Sequence, residues 1–272
     1  MEETAYAKVN LALHVRGREA DGYHRIETLF AFCEDGDRLR AAPAGALTLK
    51  VEGPFAAALA GEGDNLVLRA ARLLQSEAAI REGAALTLDK RLPVASGIGG
   101  GSADAAAALR LLNRLWDLRL AEVDLLPLAA RLGADVPACL LSRTVHGEGR
   151  GDRLSELAVP QLAGTPVLLV NPGVAVATAD VFRRWSGCDG GPLPADFRAA
   201  RNELEDAARA VAPEIGAVLD ALRATDGASL VRMSGSGATC FALYEDAAAR
   251  DHASADVSRL HPGWWRLESR FR

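Results

Sequence analysis

Residues 93–104 read PVASGIGGGSAD, and an alanine- and leucine-rich stretch with helical spacing follows them directly. Glycines at 97, 99, 100 and 101 leave backbone N–H groups uncovered just ahead of a helix, whose dipole adds positive potential at the same point. The segment therefore predicts a phosphate-binding site, to which Ser102 would add a hydroxyl that caps the helix or contacts a metal bound to the phosphate. The alternative is a flexible glycine loop without a ligand.

Two familiar phosphate loops do not fit this segment. A Walker A loop ends in Gly-Lys-Ser/Thr, but no lysine lies between Lys90 and the helix. The dinucleotide fingerprint G-x-G-x-x-G/A also fails, because its third position falls on Ser102 when counted from Gly97 and on Asp104 when counted from Gly99. The segment is therefore a third kind of phosphate loop.

The composition indicates a globular chain of one or two compact units, with 272 residues of which 49% are hydrophobic and 25% charged. A formal net charge of -5 argues against broad electrostatic binding to nucleic acid or an anionic membrane. No apolar run approaches the roughly 18 residues of a membrane span, and the acidic N-terminus does not resemble a secretory signal. We therefore expect a cytoplasmic protein. Its widely spaced cysteines are expected to be reduced and mostly buried: Cys33, Cys139, Cys188 and Cys240.

Strands and helices are mixed along the chain without strict alternation, which favours an α+β fold over a doubly wound sheet. Period-two patterning predicts a strand over 5–15 that carries Lys8 and Asn10 on one face. Further predicted strands are 25–32, short strands within 37–49, 85–90, one near 168, one at 240–245 and one at the C-terminus. Predicted helices follow an N-cap at Asp64 or Asn65 and cover 103–116, 123–132, 178–185, 202–211, 214–224 and 247–260. A soft boundary is expected between 154 and 165.

Three motifs in order along the chain carry a family resemblance. PVASGIGGGSAD resembles the second motif of the GHMP kinases, the superfamily of galactokinase, homoserine kinase and mevalonate kinase. YAKVNL at 6–11 resembles the first motif, and RMSGSGATCF at 232–241 the third. The resemblance implies a two-domain α+β fold, with an N-terminal ribosomal-S5-like α/β domain over 1–156 and a C-terminal ferredoxin-like α/β domain over 157–272. It places the active site in the cleft between them.

The same resemblance implies a kinase that uses ATP and Mg²⁺. Asp135 matches the family's catalytic aspartate, a general base for the acceptor hydroxyl, and Lys8 its assisting lysine. From the residues alone, Asp135 could instead be a helix N-cap, and Lys8 a strand lysine facing solvent. ATP would contact Pro93, Val94, Ala95, Ser96, Gly97, Ile98, Gly99, Gly100, Gly101, Ser102 and Ala103, with Asn65 and Lys90 near the adenine and Ser102 as a candidate metal ligand.

Further stretches resemble family members whose acceptor is an alcohol linked to cytidine diphosphate: ADGYHRIETLF at 20–30, GDNLVLRAARLL at 63–74 and LGADVP at 132–137. The implied reaction phosphorylates the 2-hydroxyl of a cytidine-diphosphate-linked methylerythritol in the non-mevalonate route to isoprenoid precursors. Tyr23 and Phe182 would stack on the cytosine, and His24 would hydrogen-bond its edge. Asn10 and Thr178 would contact the rest of this substrate. As an alternative, Phe182 is a core residue.

Two other functions stay open at this point. One is another GHMP small-molecule kinase, such as homoserine kinase. The other is a non-catalytic nucleotide- or RNA-binding module, which the acidic charge and the presence of both Lys8 and Asp135 disfavour. The glycine loop at 235–239 fits either a site for the substrate's phosphates or a tight hairpin. We expect a small-molecule substrate, no nucleic acid, no membrane, and a monomer or weak homodimer.

Overall fold

The computed structural model describes residues 1–60 and 65–272, so Asp64, one of the two predicted helix caps, lies outside the described residues. Its strands are β1 (Glu2–Arg18), β2 (His24–Ala44), β3 (Thr48–Glu52), β4 (Gly83–Asp89), β5 (Val145–Gly149), β6 (Arg153–Glu156), β7 (Pro166–Asn171), β8 (Leu230–Met233), β9 (Cys240–Leu243) and β10 (Trp265–Arg270). Its α-helices are α1 (Leu66–Glu77), α2 (Gly100–Leu115), α3 (Glu122–Leu132), α4 (Val136–Leu141), α5 (Thr178–Arg183), α6 (Glu205–Val211), α7 (Glu214–Arg223) and α8 (Ala247–Leu260). None of these described helices has the length and apolar character that a membrane crossing requires.

The chain divides into two compact units that interleave along the sequence. The first comprises Met1–Lys8, Asp35–Val94 and Gly99–Ser142, and the second Val9–Glu34, Ala95–Ile98 and Arg143–Arg272. The units interleave because β1 and β2 each contribute residues to both. The sequential boundary between 156 and 157 stays a prediction.

The first unit packs three helices around α2. The second half of β2 pairs antiparallel with β4, and β4 pairs parallel with β3. Helices α1, α3 and α4 contact α2, whose residues 103–109 are all buried. These are mostly alanines, whose small side chains allow neighbouring helices to approach closely. Leu115 and Trp116 are only half-buried, because they form the last helical position and the C-cap.

The second unit contains a four-stranded antiparallel sheet in the order β10-β7-β9-β8. The first half of β2 pairs with β5, which pairs with β6. Inward-facing residues of β1, β7 and α7 form its core, including Val15, Val170 and Leu219. The loop at 234–239 joins the adjacent strands β8 and β9, so the hairpin interpretation of this glycine loop is confirmed.

Strand β2 is longer than the sequence predicted. The prediction of one strand over 25–32 and separate short strands within 37–49 was wrong, because β2 runs without a break to Ala44 and only β3 follows separately. Gly36 does not interrupt it, since its lack of a side chain allows a close approach to β1. A Cβ at Gly36 would lie only 1.9 Å from the carbonyl oxygen of Ala5.

The cysteines agree with their prediction. Cys33, Cys139 and Cys240 are buried and Cys188 is exposed, and all four are free thiols. Burial raises the pKa of the Cys139 thiol to about 12, so this thiol stays protonated near neutral pH.

Candidate active site

The glycine-rich segment leads into α2, which begins at Gly100, earlier than the predicted start at residue 103. Gly99 is the N-cap, and its φ of 64° lies in the left-handed region that glycine adopts without strain. Ser102 therefore lies within the first turn, and no side chain caps the helix. The capping role for Ser102 was wrong. The N–H groups at the start of a helix have no intrahelical partner and suit an anion, so binding of a phosphate here stays a prediction.

Lys8 on β1 and Asp135 just before α4 form an ion pair in the first unit. Nζ of Lys8 lies 3.1 Å from Oδ2 of Asp135. The lysine side chain is 4% exposed and the aspartate side chain 35%, so the alternative of a solvent-facing Lys8 was wrong. Asp135 occupies the N-cap position of α4, but its side chain makes no capping hydrogen bond. The pair therefore joins a buried ammonium to a carboxylate that a ligand can reach.

This ion pair lies beside the start of α2. A Cβ built at Gly99 would lie 3.0 Å from Cε of Lys8 and 3.3 Å from its Cβ. The aliphatic part of the lysine thus packs against the residue that caps the helix. The first unit accordingly brings together a helix N-terminus suited to phosphate, an ammonium and a carboxylate.

Arg110 on α2 ties together the two elements that supply this ion pair. On β1 its guanidinium contacts Oε1 of Glu3 at 2.9 Å and the carbonyl oxygen of Thr4 at 3.1 Å. At the end of α4 it donates to the carbonyl oxygens of Cys139 at 2.8 Å and Leu140 at 3.1 Å. Sequence reasoning missed this residue, although a charge on an otherwise apolar helix face was a usable signal.

The two residues expected near the adenine have polar atoms engaged within the protein. Oδ1 of Asn65 accepts a hydrogen bond from the N–H of Val67 at 2.9 Å and caps α1, as predicted. Lys90 is 1% exposed, and its Nζ lies 2.6 Å from Oδ2 of both Asp37 and Asp104. Their contact with adenine stays a prediction.

The second unit holds the residues expected to bind the acceptor. The backbone N–H of Asn10 donates to Oγ of Ser234 at 3.1 Å, and that hydroxyl donates to the carbonyl oxygen of Gly97 at 3.0 Å. Oγ1 of Thr178 lies 2.9 Å from Oγ of Ser236. Asn10, Thr178 and the middle of the glycine-rich segment therefore all contact the loop between β8 and β9.

His24 stands against two aromatic rings in the same unit. Its ring centroid is 4.8 Å from that of Phe182 and 5.5 Å from that of Trp185, with the latter ring perpendicular. Burial lowers the pKa of the His24 imidazole, and Arg18 acts in the same direction. Phe182 also packs half-buried against the core, so the core alternative holds in part. Sequence reasoning missed Trp185, which lies close to Phe182 in the chain.

Tyr23 is 56% exposed, and a cation covers one face of its ring. The guanidinium carbon of Arg150 lies 3.9 Å from the ring centroid, and the same guanidinium pairs with Asp21. The N–H of Tyr23 donates to Oδ1 of Asp21 at 3.0 Å. These contacts hold Tyr23 as an exposed aromatic surface of the kind on which a base can stack.

Family models match both parts of the chain in the expected order. The model described as "GHMP kinases N terminal domain" matches residues 65–143. The model described as "GHMP kinases C terminal" matches residues 193–262. The α+β fold agrees with these matches. The chain belongs to the GHMP kinase family.

Curated relatives narrow the family further. A protein of Rhizorhabdus wittichii named "4-diphosphocytidyl-2-C-methyl-D-erythritol kinase" is 56% identical, and the match covers 99% of this chain and 94% of that protein. A protein of Sphingopyxis alaskensis with the same name is 50% identical over 100% of this chain and 99% of its own length. Within the GHMP kinases, the chain therefore falls among the kinases of that name.

Solved structures agree with both levels of assignment. A crystal structure of 4-(cytidine 5'-diphospho)-2C-methyl-D-erythritol kinase matches with a TM-score of 0.84 and 37% identity, covering 99% of each chain. A homoserine kinase from Cytophaga hutchinsonii matches with a TM-score of 0.74 at 19% identity, covering 100% of this chain and 94% of the other. The second match supports the fold alone.

Proposed function

We propose that this kinase transfers the γ-phosphate of ATP to the 2-hydroxyl of 4-diphosphocytidyl-2-C-methyl-D-erythritol, giving the 2-phosphate and ADP in the non-mevalonate route to isoprenoid precursors. One observation carries the chemical part of the proposal, namely the ion pair of Lys8 with Asp135 beside the start of α2. The acceptor part is supported by relatives of that name that match nearly the whole chain.

Asp135 is the proposed general base. Its carboxylate is partly exposed and makes no capping bond, so an acceptor hydroxyl can approach it and give up its proton as the phosphoryl group transfers. The ammonium of Lys8, at 3.1 Å from this carboxylate, provides positive charge near the transferring group. This division of roles needs no other titratable side chain at the site.

The phosphates of ATP are proposed to lie along residues 93–103, with their charge directed at the N-terminus of α2. The unpaired N–H groups of the first helical turn can donate to phosphate oxygens, and the helix dipole favours the negative charge. The left-handed Gly99 turns the chain into the helix without a side chain that would cover those groups.

Mg²⁺ is proposed to be bound mainly by the nucleotide. Across residues 1–60 and 65–272 there is no group of three or more acidic, histidine or cysteine side chains that could hold a metal ion. The Ser102 hydroxyl, which does not cap α2, is the protein ligand we propose. When bound, the ion neutralises charge between the β- and γ-phosphates.

The acceptor is proposed to bind through residues of the second unit. Tyr23 offers an exposed ring whose other face is held by Arg150, and His24 lies against Phe182. Such aromatic groups can stack on a cytosine, and a neutral imidazole can hydrogen-bond its edge. The lowered pKa of His24 favours this neutral form near pH 7. Asn10 and Thr178 are proposed to contact the rest of the acceptor.

The decisive experiment compares two acceptors. Purified protein is incubated with ATP, Mg²⁺ and either the diphosphocytidyl alcohol or homoserine, and ADP is measured. We expect ADP only with the first acceptor, and ³¹P NMR should show a new phosphate monoester at the 2-position. ADP release with homoserine but not with the diphosphocytidyl alcohol would overturn the assignment in favour of another GHMP kinase. No turnover with either acceptor and no ATP binding would favour the non-catalytic alternative.

We further propose a cytoplasmic location and a monomeric or weakly dimeric state. The net charge of -5 and the free thiols support the location. Light scattering coupled to gel filtration would test the oligomeric state.

A further inference from the structure

A cluster of three charged side chains lies under the phosphate-binding helix. Lys90 follows the end of β4, Asp37 lies on β2 and Asp104 lies on α2. All three are buried, with exposures of 1%, 0% and 3%. The ammonium lies 2.6 Å from one oxygen of each carboxylate. We call Lys90, Asp37 and Asp104 the buried triplet.

The buried triplet contacts the chain on both sides of the glycine-rich segment. On the upstream side, Oδ1 of Asp37 accepts hydrogen bonds from the backbone N–H groups of Arg91 at 2.6 Å and Leu92 at 2.8 Å, directly before Pro93. On the downstream side, Asp104 belongs to the second turn of α2. The Lys90 ammonium therefore connects Asp37, which binds the backbone directly before the segment, with Asp104, the last residue of the segment.

The ammonium also lies close to the first residue of α2. A Cβ added at Gly100 would lie 3.0 Å from Nζ of Lys90 and 3.9 Å from Oδ2 of Asp37. Nζ is held by two ion pairs and cannot move away without breaking them. The Lys90 ammonium therefore limits how far the first turn of α2 can move toward the interior of the unit.

The two carboxylates of the triplet are not equivalent. Asp37 accepts two backbone hydrogen bonds in addition to the ammonium, whereas Oδ1 of Asp104 has no hydrogen-bond partner among the described residues although it is buried. Burial raises the pKa of Asp104 to about 7, against the opposing effect of Lys90 and with a further contribution from Asp37. Loss of the Asp104 carboxylate thus leaves a balanced pair of Lys90 with Asp37.

We propose that the buried triplet holds both ends of the glycine-rich segment in the conformation that binds the triphosphate, so that Lys90, Asp37 and Asp104 are positioning residues. The proposal rests on the proposed function, since it takes ATP to be the ligand of this segment. It gives Lys90 a different role from the adenine contact that the family resemblance implied, because the ammonium is enclosed by protein carboxylates. Positioning matters here because displacements of about 1 Å can change rates by about 100-fold.

Asp104→Ala is the main test. It removes the contact between Lys90 and α2, and it leaves the opposite charges of Lys90 and Asp37 paired. We expect Kd for a non-hydrolysable ATP analogue and KM for ATP to rise about tenfold, with KM for the acceptor unchanged within about twofold. Asp104→Asn keeps an oxygen for Lys90 and should restore ATP affinity to within about threefold of wild type. Asp117→Asn, an exposed position just beyond the same helix, is the matched control and should match wild type.

Asp37→Asn cuts the upstream connection and guards against a folding defect in the first variant. An amide has one acceptor oxygen, so it cannot serve both the backbone N–H groups and Lys90. The same selective loss of ATP affinity is expected. Unchanged ATP affinity in either folded variant, or equal increases in both KM values, would overturn the proposal. If the wild-type protein itself does not bind ATP, that result contradicts the proposed function. It is therefore distinguishable from a failure of the positioning role, which appears only in the variants.

Discussion

Two lysines of the first unit meet aspartates in opposite ways. Lys8 pairs with the carboxylate of Asp135, which is 35% exposed, whereas Lys90 pairs with two carboxylates whose side-chain exposures are 0% and 4%. The first pair can exchange its contacts with a ligand, because water or substrate reaches one partner. The second cannot, because every partner is enclosed. Exposure of the carboxylate therefore distinguishes an ion pair that a ligand can reach from one that the protein encloses.

The largest effect is expected from Asp135→Asn, which tests the partly exposed ion pair of Lys8 with Asp135. An amide cannot accept the hydroxyl proton, so we expect kcat to fall about 100- to 10,000-fold with little change in KM for ATP. ADP release in a coupled assay measures this. Asp220→Asn, an exposed position on α7, serves as the control. A variant within a few fold of wild type would contradict the role of Asp135 as base.

The enclosed ion pairs of Lys90 are tested by comparing the stability of the Lys90→Met variant with that of Lys8→Met. Lys90→Met leaves two buried carboxylates without their cation, and the free energy of unfolding should fall by about 3–5 kcal/mol. Lys8→Met leaves Asp135 able to hydrate, so we expect a loss of only about 1 kcal/mol together with a large loss of kcat. Urea unfolding of both variants gives the two values. Equal losses of stability would remove the distinction between the lysines.

A smaller effect is expected in the second unit, where the acceptor is proposed to be recognised by aromatic stacking rather than by ion pairs. Tyr23→Ala should raise KM for the diphosphocytidyl acceptor about tenfold, the size expected for losing one base–aromatic stack, and leave KM for ATP within about twofold. Tyr23→Phe keeps the ring and should resemble wild type. An equal rise in both KM values with Tyr23→Ala would count against the stacking role.

The last prediction tests the buried triplet through its pH dependence. The pKa of Asp104 is raised from 3.8 to about 7 in the folded protein, so the folded state binds this proton more tightly than the unfolded chain. The resulting stabilisation is complete below about pH 4 and is lost as the pH rises through about 7. Asp104→Asn carries no such proton. The Tm of wild type minus that of the variant should therefore fall by roughly 5 to 10 degrees between pH 5 and 8, because the displaced pKa costs about 1.4 kcal/mol per pH unit up to about pH 7. A constant difference would contradict the raised pKa.

Local patterns were enough to predict much of the first unit. The helix after the glycines, the cap at Asn65 and the strand that carries Lys8 follow from spacing and turn chemistry that act over a few residues. The exact start of α2 did not follow, because Gly99 as a left-handed cap displaced the expected Ser102. Nor did the length of β2, because the fit of Gly36 against Ala5 depends on a second strand.

Long-range pairings were beyond local patterns. Lys8 and Asp135 are 127 positions apart, and only the family resemblance connected them. Nothing in the residues themselves indicated that Asp37 would reach Lys90 across 53 positions. The one available signal was Asp104, a charge placed among alanines on a helix face that had to be buried. Trp185 and Arg150 were likewise missed, since both contact distant parts of the chain. The partner of Trp185 is His24 at the start of β2, and Arg150 contacts Tyr23 in the turn before it.

Arg110 has a consequence for the motions of the site. Helix α4 has only six residues, too few to persist as an isolated helix in water. Its last carbonyls are held by a guanidinium from α2, a cation that also suits the negative end of the α4 dipole. The segment that carries Asp135 therefore keeps its shape only while α2 is in place. Its amide protons should exchange with solvent through the same opening event as those of α2, so the Asp135 segment and α2 form one cooperative unit.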